Sequence, residues 1–141
     1  MSEPGRILAL DIGSHRIGMA VSDRMRIIAQ PHGYLKRSKF AEDVASLLSI
    51  IAEQQVTELL IGLPKRLDGS HGDMAETAKK FANEIKERAQ IKIKMWDERF
   101  STHAAERALL EGNVRRAKRK EKIDQTAAVW ILQGYLDQLN R

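Results

Sequence analysis

Cysteine is absent from this 141-residue chain, which excludes a disulfide framework and any metal site built from thiolates. Aromatic residues make up only 5% of the sequence, too few for an extensive base-stacking surface. No apolar run approaches the roughly 20 residues that a transmembrane helix needs, so no membrane partner is expected. The first residues carry an acid and lack the apolar segment of a secretory signal. We therefore expect a cytoplasmic protein.

Hydrophobic residues account for 43% of the chain and charged residues for 30%. These fractions are typical of a globular domain rather than of a disordered chain. The length fits one domain, which we expect to span residues 1–141.

The net charge of +5 is concentrated in one segment. Residues 115–122 (RRAKRKEK) hold six Lys or Arg and one Glu, so this basic octet alone carries a charge of +5. Blocks of like charge are commonly solvated, mobile loops. The alternative is an arm that binds nucleic-acid phosphates, and charge alone does not decide between the two.

Apolar periodicity predicts three strands, then helix, strand, helix, strand and two helices. The three residues between the first two strands are too few for a crossover, which favours an antiparallel hairpin. Pro31 indicates an edge position for the third strand, and Ser38 is positioned to cap the first helix. The predicted strands are about 6–13, 17–23, 27–35, 57–62 and 91–96, and the predicted helices are about 39–54, 73–88, 102–111 and 122–139.

A leading meander followed by strand–helix units predicts an α/β domain, a mixed sheet with helices on both faces. We expect Trp96 and Trp130 to pack in its core. The buried side of the last helix is predicted to follow Ile123, Ala127, Trp130, Ile131 and Gly134.

Three acidic positions lie where an element begins or ends. Asp11 closes the first strand, Glu98 follows the last strand, and Asp124 opens the final helix. Ligand sites of open α/β sheets gather at the carboxyl ends of strands, and clustered carboxylates suit Mg²⁺ or Mn²⁺. Single acids at such places more often serve solubility or the helix dipole, so the pattern leaves both interpretations open.

Four segments of the chain resemble one known family. In order they are ILALDIGSHRIGMAVSD, IGLPKRLDGSHG, DERFSTHAAE and KRKEKIDQTAAVWILQGYLD, which together extend from residue 7 to residue 137. They are similar to the YqgF-type family of bacterial ribonuclease H-like proteins, described as pre-16S ribosomal RNA nucleases or as Holliday junction resolvases.

The resemblance implies a ribonuclease H-like fold with a five-stranded mixed sheet in the order 3-2-1-4-5, strand 2 being antiparallel. It also implies that Asp11, Glu98 and Asp124 are catalytic and hold Mg²⁺ or Mn²⁺, with two ions expected. In related resolvases a catalytic acid lies on the fourth strand, which here ends in Gly62 without a carboxylate. We expect Glu98, from the neighbouring fifth strand, to reach across Gly62 into the site.

Basic and polar residues near these acids are candidate contacts to nucleic acid. Arg16 and Arg99 are placed to face a scissile phosphate, although each can equally pair with a nearby acid. The polar loop after the fourth strand and the basic octet supply the others, with a solvated loop as the alternative. The full candidate set is Arg16, Lys65, Arg66, Ser70, Arg99, Arg115, Arg116, Lys118, Arg119 and Lys120.

The leading hypothesis is a metal-dependent nuclease, a hydrolase that processes the 5′ end of precursor 16S rRNA in ribosome biogenesis, in contact with the pre-ribosomal particle. A Holliday junction resolvase acting on branched DNA is the alternative, and a stable homodimer rather than a monomer would favour it. A non-catalytic RNA- or ribosome-binding module is a third hypothesis. A nucleotide-binding domain of the actin-like type is disfavoured because only one phosphate-loop-like segment, 11–18, is present.

Overall fold

The computed structural model describes residues 4–63, 73–97 and 116–140, and for residues 73, 97 and 116–126 it describes the backbone alone. Among these residues there are five strands and three helices. The strands are β1 (Arg6–Ile12), β2 (Arg16–Ser22), β3 (Ala29–Lys36), β4 (Val56–Leu63) and β5 (Lys92–Asp97); the helices are α1 (Phe40–Glu53), α2 (Asp73–Arg88) and α3 (Arg116–Leu139). The predicted helix at about 102–111 lies outside the described residues.

The strands form one sheet in the order β3-β2-β1-β4-β5. β1 pairs antiparallel with β2 and parallel with β4, while β2 pairs antiparallel with β3 and β4 pairs parallel with β5. The predicted hairpin and the edge position of the strand that contains Pro31 are both confirmed. The strand order implied by the family resemblance is confirmed as well.

Side chains of β1 alternate between two cores. Leu8, Leu10 and Ile12 pack with the buried residues of α1 and α2 on one face of the sheet. Ile7 and Ala9 pack with α3 on the other face. Because successive side chains of a strand point to opposite faces, Asp11 lies on the face that α3 covers. None of the described helices is both long enough and apolar enough to cross a membrane.

The predicted cap of α1 is wrong. Lys39, not Ser38, occupies the N-cap position, and its side chain makes no capping hydrogen bond. The buried carboxylate of Asp43 reaches back instead, accepting the Ser38 N–H at 3.0 Å, while the Ser38 hydroxyl donates to Glu42 at 2.6 Å. Glu42 and Asp43 both lie in the first turn of α1, where the helix dipole favours acids, and Asp43 has a buried partner in addition.

β3 begins at Ala29, two residues later than predicted. The N–H groups of Ile27 and Ile28 donate to the Asp23 carboxylate at 2.7 and 2.9 Å. The Asp23 carboxylate thus accepts N–H groups that a strand would donate to its neighbour, so Ile27 and Ile28 lie outside β3, and both are 56% exposed.

The last helix begins at Arg116, about six residues earlier than predicted. Lys, Arg, Ala and Glu are all good helix formers, so residues 116–122 of the basic octet continue the helix rather than form the predicted loop. The predicted buried stripe is right at Ala127 and Ile131 but wrong at Trp130 and Gly134, which are only half-buried. The buried side chains of the described part are Ala127, Ala128, Ile131, Leu132, Tyr135 and Leu136.

Candidate active site at the carboxyl edge of the sheet

Asp11 lies near the carboxyl end of the central strand and is half-buried. Its neighbour on β2 is Gly18. On the other side, β1 and β4 pair as far as Leu10 and Ile61, and the next step of that register brings Asp11 beside Gly62. Neither of the two residues that flank Asp11 along the sheet, Gly18 and Gly62, carries a side chain.

The same register extends across all five strands. Gly62 pairs with Trp96 on β5, and Gly18 pairs with Tyr34 on β3. Paired residues share a face of the sheet, so one row runs Trp96, Gly62, Asp11, Gly18, Tyr34 on the face of α3. We call this the Asp11 row. Trp96 is 8% exposed, and within the part of the chain that the structure describes its Nε1 donor has no hydrogen-bond partner.

The turn after Asp11 is held from two sides. The Gly13 N–H donates to the Arg16 carbonyl at 2.9 Å, and the Arg37 guanidinium donates to the Gly13 carbonyl at 2.9 Å. Arg37 Nε also pairs with Asp43 Oδ2 at 3.0 Å, and its guanidinium stacks over the Phe81 ring at 5.3 Å. Arg37 therefore ties the turn after Asp11 to α1 and α2.

Sequence reasoning missed both Arg37 and the partner that fixes it. The sequence shows Asp43 only as an acid in a first helical turn, and its 1% exposure is the signal that distinguishes it. An acid within an apolar run can be buried only when it has a partner. The partner of Asp43 is Arg37, which lies six residues earlier in the loop before α1.

Arg16 begins β2 at the same edge as Asp11. It pairs in register with Lys36 on β3, and its guanidinium lies 5.0 Å from the centroid of the Tyr34 ring. Two cations thus lie beside the carboxyl end of β1, where an anionic phosphodiester would be attracted.

Most of the predicted site residues lie outside what the structure describes. Asp11 and Arg16 are described in full, and the structure brings them to the same edge of the sheet. Asp124 lies on α3, four positions before Ala128 and seven before Ile131, which continues the stripe that packs on the sheet; its side chain is not described. The same limit holds for the side chains of Arg116, Lys118, Arg119 and Lys120, which lie on the first turns of α3. Glu98, Lys65, Arg66, Ser70, Arg99 and Arg115 lie outside the described residues.

A divalent metal is compatible with the donor chemistry at Asp11. Its carboxylate is a hard oxygen ligand of the kind Mg²⁺ and Mn²⁺ prefer, and its two neighbours along the sheet are glycines. Within the ranges 4–63, 73–97 and 116–140, no group of three or more His, Cys, Asp or Glu residues is placed to hold a metal. Glu98 and the Asp124 side chain lie outside what the structure describes.

Two other buried carboxylates have structural partners instead. Asp43 pairs with Arg37 as described above, and Glu58 lies near the opposite end of β4, 1% exposed. Glu58 accepts hydrogen bonds from Arg26 at 2.9 Å and from the Tyr135 hydroxyl at 2.6 Å. Burial, together with the hydrogen bond and negative charge of Glu58, raises the pKa of Tyr135 to about 12.

A five-stranded mixed sheet with an antiparallel second strand, helices on both faces and an acid near the end of the central strand defines the ribonuclease H-like class. The model of one family in this class, described as RuvX, Holliday junction resolvase, matches residues 5–138. The chain belongs to this family. It is therefore a nuclease, a hydrolase of phosphodiester bonds.

Relatives of known name agree with this assignment. A protein of Paracoccus denitrificans is 46% identical over 135 residues, covering 96% of this chain and 85% of the relative. One of Clostridioides difficile is 49% identical over 133 residues, covering 94% of each chain. Both carry the name "Putative pre-16S rRNA nuclease".

A solved structure confirms the fold. RuvC of Thermus thermophilus, in complex with a Holliday junction, superposes with a TM-score of 0.60 and covers 96% of each chain. At 12% sequence identity, this similarity concerns the fold alone.

Proposed function

We propose that this protein is a metal-dependent nuclease that processes the 5′ end of precursor 16S rRNA in the cytoplasm, with the pre-ribosomal particle as its partner. The observation that carries the proposal is Asp11, a half-buried carboxylate at the carboxyl end of the central strand with a glycine on either side. The relatives' names support the rRNA substrate.

Asp11, Glu98 and Asp124 form the proposed catalytic cluster. Glu98 follows Asp97, the last residue of β5, and is two residues after Trp96, which belongs to the Asp11 row. With Gly62 between β1 and β5, no side chain of β4 stands in the way of an acid reaching toward Asp11. Asp124 continues the α3 stripe that packs on this face. In this proposal β1, the residue after β5 and α3 supply one carboxylate each.

Three carboxylates close together repel one another unless cations neutralise them. These ligands would hold Mg²⁺ or Mn²⁺, and two ions suit a cluster of three carboxylates. When bound, such ions supply Lewis-acid activation of a water and stabilisation of the leaving oxygen in phosphodiester hydrolysis. The chain's own contribution is to hold the carboxylates in place.

Cations around the cluster would hold the substrate backbone. Arg16 and Lys36 lie at the same edge as Asp11, and the basic octet leads into the helix that carries Asp124. Phosphate contacts of this kind position a nucleic acid without reading its bases. Lys65, Arg66, Ser70 and Arg99 complete the proposed contact set.

Holliday junction resolution is the second candidate, because the matching family is described by that activity. A resolvase cuts two strands symmetrically, which requires two active sites and therefore a dimer. The rRNA substrate is proposed first because both relatives are named for the rRNA.

The experiment offers both substrates to the purified protein. A labelled RNA spanning the 5′ boundary of 16S rRNA and a four-way DNA junction are incubated with Mg²⁺, Mn²⁺ or EDTA. We expect metal-dependent cleavage of the RNA at a defined position, with slower or no cleavage of the junction. Preferential cutting of the junction by a dimeric protein would replace the rRNA proposal with the resolvase.

Controls separate catalysis from binding. Asp11→Asn removes one charge from the proposed cluster, whereas Glu87→Gln removes one charge from an exposed position on α2. The Glu87→Gln variant is expected to cut like the wild type and the Asp11→Asn variant to bind without cutting. Tight RNA binding with no cleavage by the wild type would instead support a non-catalytic binding module.

A further inference from the structure

Tyr34 is an aromatic residue that the proposed catalysis does not use. It lies on the edge strand β3 and is 39% exposed. This is an unusual position for one of only seven aromatic residues in the chain. The Arg16 guanidinium lies 5.0 Å from the ring centroid, within the range of a cation–π contact. Lys36 is the register partner of Arg16 and adds a second cation beside the ring.

The register of the sheet places this ring on the same face as the catalytic carboxylate. Asp11 pairs with Gly18, and Gly18 pairs with Tyr34. The two residues are thus separated by two strand spacings, about 10 Å between their backbones. Because the residue between them is glycine, no side chain of β2 rises between the carboxylate and the ring.

We infer that Tyr34 and Arg16 form a stacking position for one unpaired nucleotide that adjoins the scissile phosphodiester. This inference rests on the proposed nuclease function and specifies its substrate class, single-stranded RNA at the cleavage site. Unpaired bases stack on aromatic rings and on arginine guanidinium planes, and this site offers both in contact with each other. Lys36 supplies a charge for the neighbouring phosphate.

A paired nucleotide does not gain from this position, because its base is already stacked within the duplex. The stacking position therefore predicts discrimination between unpaired and paired RNA at the nucleotides that flank the cut. It does not predict a preference for one base, since every base has a stacking face.

The test compares the same RNA with the flanking nucleotides unpaired and with those nucleotides covered by a complementary strand. The wild type is expected to cut the unpaired form about tenfold more efficiently, as loss of one stacked base predicts. Tyr34→Leu is expected to lose this discrimination through a raised KM for the unpaired form. Tyr34→Phe keeps the ring and is expected to keep the discrimination.

Phe40→Leu is the matched control. Phe40 is 37% exposed, close to the value for Tyr34, but it contacts Phe81 on the opposite face of the sheet. It is expected to retain the discrimination. An equal loss in Phe40→Leu and Tyr34→Leu would attribute the effect to stability and overturn the inference.

A binding measurement keeps the outcome independent of cleavage. The Asp11→Asn variant, with and without Tyr34→Leu, is titrated with RNA carrying a fluorescent 2-aminopurine at each flanking position. Quenching at one position that depends on Tyr34 supports the stacking position. Identical quenching in both variants contradicts it.

The two failures are distinguishable. Cleavage with no effect of Tyr34→Leu on discrimination or on quenching overturns the stacking position and leaves the nuclease proposal intact. If quenching in the Asp11→Asn background depends on Tyr34 but the wild type cuts nothing, the nuclease proposal is overturned and a single-strand binding site is retained.

Discussion

Gly13 fixes the turn that leads from Asp11 into β2. Its N–H donates to the Arg16 carbonyl, and a Cβ built on Gly13 would lie 2.9 Å from that same oxygen. A carbon atom does not fit so close to a backbone oxygen, so any side chain must displace the turn. Because Gly13 follows Asp11 by two residues, the displacement would reach the carboxylate that we propose to be catalytic.

Gly13→Ala is therefore expected to lower the free energy of unfolding by about 1–3 kcal/mol, the usual cost of overpacking. It is also expected to slow cleavage by about tenfold or more, because small misplacements of catalytic groups are costly. Urea unfolding and single-turnover kinetics measure the two effects. Ser14→Ala, at the exposed neighbouring position, is the control, and a Gly13→Ala variant that matches it in both measurements would contradict the account.

At this scale the sequence predicted only part of the site. Asp11 was recognisable because it ends a run of apolar residues and precedes Gly13. Tyr34 and Arg37 were not, because their importance depends on Gly18 and Asp43. Strand register places Tyr34 beside Gly18, and the buried Asp43 carboxylate fixes Arg37. Neither relation is visible in local residue patterns.

Glu58 joins three elements at the end of the sheet opposite the site. It lies on β4 and accepts hydrogen bonds from Arg26, in the turn before β3, and from Tyr135 on α3. The same turn is tied to α3 a second time, since the Asn140 side chain donates to the Arg26 carbonyl at 2.9 Å. These contacts hold the helix that carries Asp124 against the sheet.

Glu58→Ala is expected to reduce the free energy of unfolding by about 3 kcal/mol, because it leaves the Arg26 guanidinium and the Tyr135 hydroxyl without a buried acceptor. Denaturant unfolding at neutral pH measures the change. Glu53→Ala removes an exposed acid from α1 and is expected to change it by less than about 0.5 kcal/mol. Equal effects of the two variants would show that Glu58 does not anchor α3.

Tyr135 gives this anchor a dependence on pH. Its pKa is about 12 in the folded protein, against an ordinary value of 10.0. A raised pKa means that the folded state favours the protonated hydroxyl, so its contribution to stability is complete below pH 10 and is lost between about pH 10 and 12. The difference in unfolding free energy between wild type and Tyr135→Phe, measured across that range, should shrink. A difference that stays constant or grows would contradict the assignment.

The helices show why element boundaries were harder to predict than the elements themselves. The apolar stripe of α1 was sufficient to predict the helix. Its first residue depended on whether the Ser38 or the Asp43 side chain accepts the N–H groups at its start. The start of α3 was misplaced because the basic octet was interpreted by its charge, although its residues are good helix formers. The full strand order came from the family resemblance, since residue patterns predicted only the first hairpin and the edge position of the third strand.

The charge of the whole molecule is unevenly distributed. The basic octet, 115–122, carries the entire formal excess of +5, and α3 lies on the opposite face of the sheet from α1 and α2. If this charge serves RNA binding, the location of the basic residues must matter more than the net charge of the chain. Affinity for single strands then depends on salt in proportion to the phosphates that the octet contacts.

Replacing Lys118, Arg119 and Lys120 with Gln is expected to weaken RNA binding and to reduce the slope of log affinity against log salt by about 2, which corresponds to three lost contacts on a single strand. Replacing Lys79, Lys80 and Lys86 of α2 with Gln removes the same charge from the other face. That control is expected to leave the slope nearly unchanged. Equal slopes for both triple variants would show that net charge alone governs binding.

The central claim is that Asp11, Glu98 and Asp124 form one metal-dependent catalytic cluster. The most direct measurement is the single-turnover rate of RNA cleavage against Mg²⁺ or Mn²⁺ concentration for Asp11→Asn, Glu98→Gln, Asp124→Asn and the Glu87→Gln control. Each cluster variant is predicted to cut about 100-fold or more slowly than the control while still binding RNA. Cleavage by Asp11→Asn at the wild-type rate, or undiminished cleavage by the wild type in EDTA, would contradict the account.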